Sequence, residues 1–252
     1  SIRLGVNLEI AWVEAEALED AEGTSDQAKA AAAENWKLIR EADGILVPGG
    51  FGYRGWEGKL RACRYARLNE IPFLGICLGF QAAVTDFMRD PEGLNSASAQ
   101  SEEFADECGA SGGIRPEDRS VIYMPEITPG QMGGTMRLGG RETLLEEGSL
   151  ARRLYHGAPA VVERHRHRYE VNPKVIRRLK TAGLKFSGVD STGSRMEILE
   201  LDSHPYFIGT QFHPEYNSRP NDPAPTFLGL MEAAARRVSS ADPAKTQGRP
   251  FG

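Results

Sequence analysis

Gly75-Ile76-Cys77-Leu78-Gly79 sets one thiol between two glycines. An apolar run at residues 73–76 precedes it and a helix-forming stretch at residues 78–89 follows at once. With cysteine in place of serine, this is the G-x-S-x-G pattern of a nucleophile elbow. Glycines flank such a nucleophile because the turn is tight and a neighbouring Cβ would collide with the strand or the helix. The thiol would then emerge at the C-terminal edge of a sheet and at the positive end of a helix, which predicts a lowered thiol pKa and a raised thiolate fraction. The competing reading is a buried cysteine in a glycine-punctuated β–α turn. The pentapeptide alone does not separate the two.

A thiolate nucleophile needs a base, a group that orients the base, and donors for a developing oxyanion. Of the five histidines, only His213 follows directly on a buried-looking strand, in Gln211-Phe212-His213-Pro214-Glu215. Pro214 forces a turn there, so the side chain emerges at a strand end, the edge at which open α/β sheets bind ligands. Glu215 stands two residues on, where it can accept from an imidazole nitrogen and fix the tautomer. A surface turn with a solvated carboxylate explains the same three residues. Pro48-Gly49-Gly50-Phe51-Gly52 closes another apolar strand, and its glycines let backbone N–H groups approach a ligand as an anion nest or oxyanion hole requires. A plain β-turn is the alternative; the P-loop and dinucleotide fingerprints are absent. In Glu163-Arg164-His165-Arg166-His167-Arg168-Tyr169-Glu170, strand alternation would put the three arginines on one face and His165, His167 and Tyr169 on the other. Such a face could hold a carboxylate or a phosphate, track RNA, or keep an edge strand soluble.

The elements that must position these groups read as an α/β fold. Strands are expected at residues 2–4, 8–13, 44–47, 73–76, 121–123, 135–138, 161–162, 184–189, 196–201 and 207–211. Helices are expected at 28–40, 59–69, 78–89, 149–155, 173–181 and 226–238. Alternation early and hairpins later predict an open, mixed but mostly parallel sheet flanked by helices, with a flavodoxin-like core. Residues 109–120 read as an exposed insertion and residues 239–252 as a polar tail. The 252 residues carry 30 Lys and Arg against 35 Asp and Glu, a net charge of −5 that argues against a nucleic-acid surface. The three cysteines, Cys63, Cys77 and Cys108, are too few for a disulfide framework or a tetrahedral zinc site and suit a reducing cytoplasm. Cys63 falls on the apolar stripe of its helix and reads as core. No apolar run approaches the roughly 20 residues of a membrane span.

Taken together, these residues resemble the class I glutamine amidotransferases. Within them, residues 48–58 (PGGFGYRGWEG), 75–81 (GICLGFQ), 133–139 (GGTMRLG) and 163–172 (ERHRHRYEVN) look like the glutaminase domain of the CTP synthases. The resemblance implies a Cys–His–Glu triad of Cys77, His213 and Glu215 that hydrolyses glutamine through a thioester. It implies an oxyanion hole from the N–H groups of Gly50 and Leu78, and a glutamine site lined by Gly50, Phe51, Leu78, Gln81, Glu103, Arg168 and Tyr169. Glu103 would hold the substrate ammonium and Arg168 its carboxylate; Glu102 is the alternative to Glu103. No metal or cofactor is expected in residues 1–238. The family's synthetase domain, which binds ATP, magnesium and UTP, would lie outside the chain as its partner for ammonia, with GTP as activator and a homotetramer as the assembly. The family also places a helix between its first two strands, so on the order of 25–30 residues would be missing near residues 4–8, if the crossover takes its usual 30 or so. A glutamine-binding regulatory module and a stand-alone γ-glutamyl hydrolase are the readings that compete.

Overall fold

A computed structural model describes residues 4–19, 25–90, 93–105, 114–124 and 136–241. The first half is built from α1 (Asp26–Glu41), β1 (Ile45–Val47), α2 (Trp56–Leu68), β2 (Phe73–Ile76), α3 (Leu78–Arg89), β3 (Gln100–Ser101) and β4 (Arg119–Tyr123). The second half follows with β5 (Arg137–Leu145), α4 (Leu150–Leu154), β6 (Ala160–His167), β7 (Tyr169–Val171), α5 (Pro173–Thr181), β8 (Lys185–Asp190), β9 (Met196–Glu200), β10 (Phe207–Thr210) and α6 (Pro225–Ala241). Seven strands form one sheet in the order β1-β2-β10-β9-β8-β5-β6, and β3-β4-β7 form a second. The large sheet is mixed, as expected. It is not mostly parallel: the parallel part is confined to β1, β2 and β10, and the pairs from β10 through β6 are antiparallel, because the later strands join neighbours by hairpins rather than by helical crossovers.

Strands buried on both faces read as unbroken apolar runs. In β2, Phe73 joins the core that holds Leu60, Phe80 and Leu179, while Leu74 and Ile76 join the core that holds Tyr206, Phe212 and Ala233. Phe207 and Ile208 of β10 divide in the same way, and the Phe73 and Phe207 rings stack at 4.4 Å. The sheet is thus sandwiched, with α2, α3 and α5 over one face and α4 and α6 over the other.

The elbow glycines are required by close approach. A Cβ at Gly79 would stand 2.1 Å from the Val47 carbonyl oxygen, and one at Gly75 would stand 2.7 Å from the Gly79 backbone. Both neighbours are backbone and cannot rotate away. Gly79→Ala is therefore expected to destabilise the fold by about 3 kcal/mol, the upper end for overpacking, and to lower the melting temperature by roughly 6–12 °C in a thermal unfolding scan.

Residues 8–13 are not a strand. Leu8, Ile10 and Trp12 alternate with a period of two, but all three are exposed, Trp12 at 86%. A period of two supplies a face and not a partner; among the described residues no strand pairs with the outer edge of β1. The strand expected at 2–4 falls mostly outside the described residues. Leu4 lies in a short helical turn, and a further turn lies at Ala15–Leu18, where neither strand nor helix is expected. β5 and β6 are far longer than expected and form a hairpin with Arg137 opposite His167 and Leu144 opposite Ala160.

Candidate active site

Cys77 ends β2 and caps α3 with φ +51° and ψ −98°, the strained geometry of an elbow. Its N–H donates to the Thr210 carbonyl at 2.7 Å and its carbonyl accepts from Gln81 N at 3.1 Å, so strand β10 and helix α3 both hold the turn. The side chain is buried. The thiol faces the carbonyl of Arg166 at 3.8 Å, and Gln211 Nε2 donates to Sγ at 3.7 Å.

The far edge of the large sheet curls back to this point. Arg164 O on β6 accepts from His213 N at 2.8 Å, and Arg166 O is the carbonyl that faces Cys77. One strand therefore positions both base and nucleophile through its backbone. His213 Nδ1 lies 2.6 Å from Glu215 Oε1, within the turn Pro214–Tyr216 that brings the carboxylate back. A carboxylate accepts, so Nδ1 carries the proton and Nε2 is the free base. His213 Nε2 is buried and has no hydrogen-bond partner. Cys77 and His213 meet over Gly49: a Cβ there would lie 2.8 Å from His213 Cε1 and 3.4 Å from Cys77 Cβ.

Burial pushes the Cys77 thiol up to about 12, against the opposing hydrogen bond from the Leu78 N–H; the nearby carboxylates of Glu103 and Glu215 push it further and Gln211 works against them. The lowered pKa expected from the helix terminus is overturned. Dehydration and two anions outweigh one helix end. Burial alone would raise Glu215, but the His213 hydrogen bond and its own backbone N–H prevail and hold that carboxyl below the ordinary value.

The other residues expected to line the site are placed as follows. Gly50 stands against Leu78, whose side chain a Cβ at Gly50 would touch at 3.4 Å. Phe51 is exposed, with the Arg166 guanidinium 5.7 Å from its ring centroid. Gln81 is buried, and its Nε2 donates to the Tyr169 carbonyl at 3.4 Å and to Gln211 Oε1 at 3.2 Å. Glu102 and Glu103 share the turn Glu102–Phe104 but differ in employment. Glu102 holds Arg119 Nη1 and the Tyr123 N–H, both at 2.8 Å. The charge of Glu103 acts on Cys77 and on Tyr169. Arg168 also acts on Tyr169, and its Nε is buried without a hydrogen-bond partner. An anion and a cation thus flank one tyrosine beside the thiol.

The alternation expected from Arg164 to Tyr169 holds only as far as His167. Arg164 and Arg166 are exposed and His165 and His167 are buried, but β6 ends at His167 and β7 belongs to the second sheet. Arg168 sits in that break and turns inward. Because the histidines face the interior, they offer no surface to a ligand. His167 Nδ1 donates to the Tyr169 carbonyl at 2.8 Å, and its Nε2 accepts from His165 Nδ1 at 3.1 Å. Glu197 lies beside them, 3.8 Å from His165 Nε2, and accepts from Arg137 Nη2 at 2.8 Å and from Thr143 Oγ1. Sequence reasoning missed Glu197 and Gln211 as part of this region; a carboxylate and an amide in otherwise apolar strands were the available signs. Cys63 is buried in the core as expected, and Cys108 lies outside the described residues. Among the described residues, no group of three or more His, Cys, Asp or Glu could hold a metal, and no helix is long and apolar enough to cross a membrane.

Burial lifts Glu197 to about 7 from an ordinary 4.5. A carboxyl raised on folding binds its proton more tightly in the native state, so its contribution is full below pH 4.5 and is lost as pH rises through 7. Glu197→Gln removes that titration. The stability of the variant relative to the parent is expected to rise by about 1.4 kcal/mol per pH unit between pH 5 and 7, read from urea midpoints across that range.

The family model described as glutamine amidotransferase class-I matches residues 1–233. A CTP synthase of Methanopyrus kandleri is 52% identical over 233 residues, which are 92% of this chain and 40% of that protein. A CTP synthase of Eremothecium gossypii is 50% identical over 243 residues, 95% of this chain and again 40% of its own length. The chain therefore spans about two fifths of these relatives. A solved structure, the glutaminase domain of a Trypanosoma brucei CTP synthase with bound acivicin, is 40% identical. It superposes with a TM-score of 0.79 over 93% of this chain and 83% of that one. With an elbow cysteine and a carboxylate-held histidine meeting at one glycine, and with that match along nearly its whole length, the chain belongs to the class-I glutamine amidotransferases, among the glutaminase domains of the CTP synthases.

Proposed function

We propose that the chain hydrolyses L-glutamine to glutamate and ammonia through a thioester on Cys77. We propose further that the ammonia serves the ATP-dependent amination of UTP to CTP by a synthetase domain of the same protein. The observation that carries the reading is His213, whose Nδ1 is held by Glu215 while its buried Nε2 has no partner beside Cys77. In the first half-reaction the Cys77 proton passes to His213 Nε2 as sulfur attacks the side-chain amide carbon. The N–H groups of Leu78 and Gly50 receive the developing oxyanion. His213 returns the proton to the departing nitrogen, the C–N bond breaks, and ammonia leaves. Water then attacks the thioester, losing its proton to His213, and the C–S bond breaks as His213 returns that proton to sulfur, freeing glutamate and the thiol. Glu103 accepts from the substrate ammonium and Arg168 donates to its α-carboxylate, a pairing of charges that selects an α-amino acid with a neutral side chain. Phe51, Gln81 and Tyr169 complete the walls.

In this reading ATP and magnesium act on the synthetase part, GTP activates from outside the thiol site, and a tetramer forms through the synthetase part. A regulatory module that only binds glutamine would have no use for a free base beside a thiol. The chain is expected to release glutamate and ammonia one for one from L-glutamine, measured enzymatically; no release of either would overturn the glutaminase reading. The protein that contains it is expected to make CTP from UTP, ATP and either glutamine or ammonia. A Cys77→Ala form should keep only the ammonia-driven reaction, and a form that still uses glutamine would contradict the ammonia-supply reading.

A further inference from the structure

We infer that Gln211 is a catalytic residue of the thiol site, its side-chain amide donating to Cys77 Sγ and stabilising the thiolate that forms as the proton leaves. The inference rests on the glutaminase reading only for its use in turnover. The contact itself is independent of the substrate.

The direction of this hydrogen bond is fixed from its far end. The Tyr169 carbonyl can only accept, so Gln81 must turn its Nε2 toward it, at 3.4 Å. The second hydrogen of that nitrogen then goes to Gln211 Oε1 at 3.2 Å. With its oxygen so engaged, Gln211 has only N–H to offer the sulfur, at 3.7 Å. The anchor is itself held, since His167 Nδ1 donates to the same Tyr169 carbonyl at 2.8 Å. Burial lowers the His167 pKa to about 3, so the imidazole is neutral around pH 7 and the relay keeps its direction there. Gln211 is buried, and its backbone N–H donates to the Glu197 carbonyl at 2.8 Å, which fixes the start of the side chain as well.

The neighbouring charges make such a donor necessary. Glu103 and Glu215 both disfavour a negative sulfur, and the Arg166 carbonyl serves only the protonated thiol. Against them stand the Leu78 N–H and the Gln211 amide. Once the thiol proton has passed to His213, the Arg166 contact is lost and the Gln211 bond remains with the ion, where a charge-assisted bond is strongest.

The test is the rate of Cys77 alkylation by iodoacetamide, without glutamine, between pH 7 and 9, on the 252-residue chain with the adduct mapped by peptide mass spectrometry. Gln211→Met keeps the length and removes the donor; Gln211→Glu keeps the shape and replaces the donor with an anion. Alkylation is expected to slow by about tenfold or more in Gln211→Met and further in Gln211→Glu. A merely loosened cavity would have the opposite effect, because it admits the reagent faster. Unchanged or faster alkylation in a variant with native circular dichroism overturns the proposal. Should Gln211→Glu unfold, Gln211→Met decides alone, and should that unfold too, Gln81→Leu, which frees the Gln211 amide, is expected to slow alkylation and overturns the proposal if it does not. A parent chain that alkylates as expected yet hydrolyses no glutamine would remove the glutaminase reading and leave this one standing.

Discussion

Cys77→Ala is expected to lose glutamine hydrolysis by about 10⁴-fold or more in kcat while remaining folded, because a nucleophile removed from a catalytic unit takes most of the unit's rate with it. The fold should tolerate the change. Alanine removes one buried sulfur, and the φ of +51° that strains cysteine strains alanine equally. His213→Gln should fall nearly as far. A thiol that burial pushes up to about 12 rests protonated at pH 7, so the site cannot wait for a preformed thiolate and must draw the proton off during attack. The loss expected for the missing base is about 10²–10⁴ in kcat. Steady-state glutamate release with circular dichroism beside it measures both. A Cys77→Ala protein that turns over at the parent rate would end the thioester mechanism.

The second large effect separates two adjacent carboxylates. Glu103→Gln is expected to raise KM for glutamine by about 10–150-fold with a small change in kcat, the cost of one hydrogen bond to a charged group remote from the scissile amide. Glu102→Gln should leave KM within about threefold and appear instead in thermal stability, since Glu102 ties Arg119 and the Tyr123 N–H. Arg168→Gln should resemble Glu103→Gln, because its guanidinium supplies the opposite charge. If Glu102→Gln were the variant with the raised KM, the ammonium contact would belong to Glu102.

How much of this was legible in the residues depended on what each feature is made of. α3 and α5 are read to the residue, Leu78–Arg89 and Pro173–Thr181, because an elbow glycine and an Asn172-Pro173 cap mark their starts. β6 is read as two residues where eight exist. Its Arg-His alternation looks polar until the histidines are known to satisfy one another inside the fold. Residues 8–13 show the reverse, alternation without a neighbour. The elbow and the His213–Glu215 pair are legible because an elbow and a His-Pro-Glu turn are local patterns. The direction of the thiol pKa was not, since burial and the approach of Glu103 and Glu215 are made by distant segments. Gln211 belongs to the same class. Its donor role depends on Tyr169, Gln81 and Cys77, three positions that only the fold brings together.

The central claim is that Cys77 attacks glutamine at its side-chain carbonyl. Incubation with 6-diazo-5-oxo-norleucine, an electrophile with the shape of glutamine, followed by peptide mapping, tests it most directly. The expected result is a single adduct on Cys77, prevented by excess glutamine and absent from His213→Gln on the same timescale. An adduct on Cys63 or Cys108, or none at all, would contradict it.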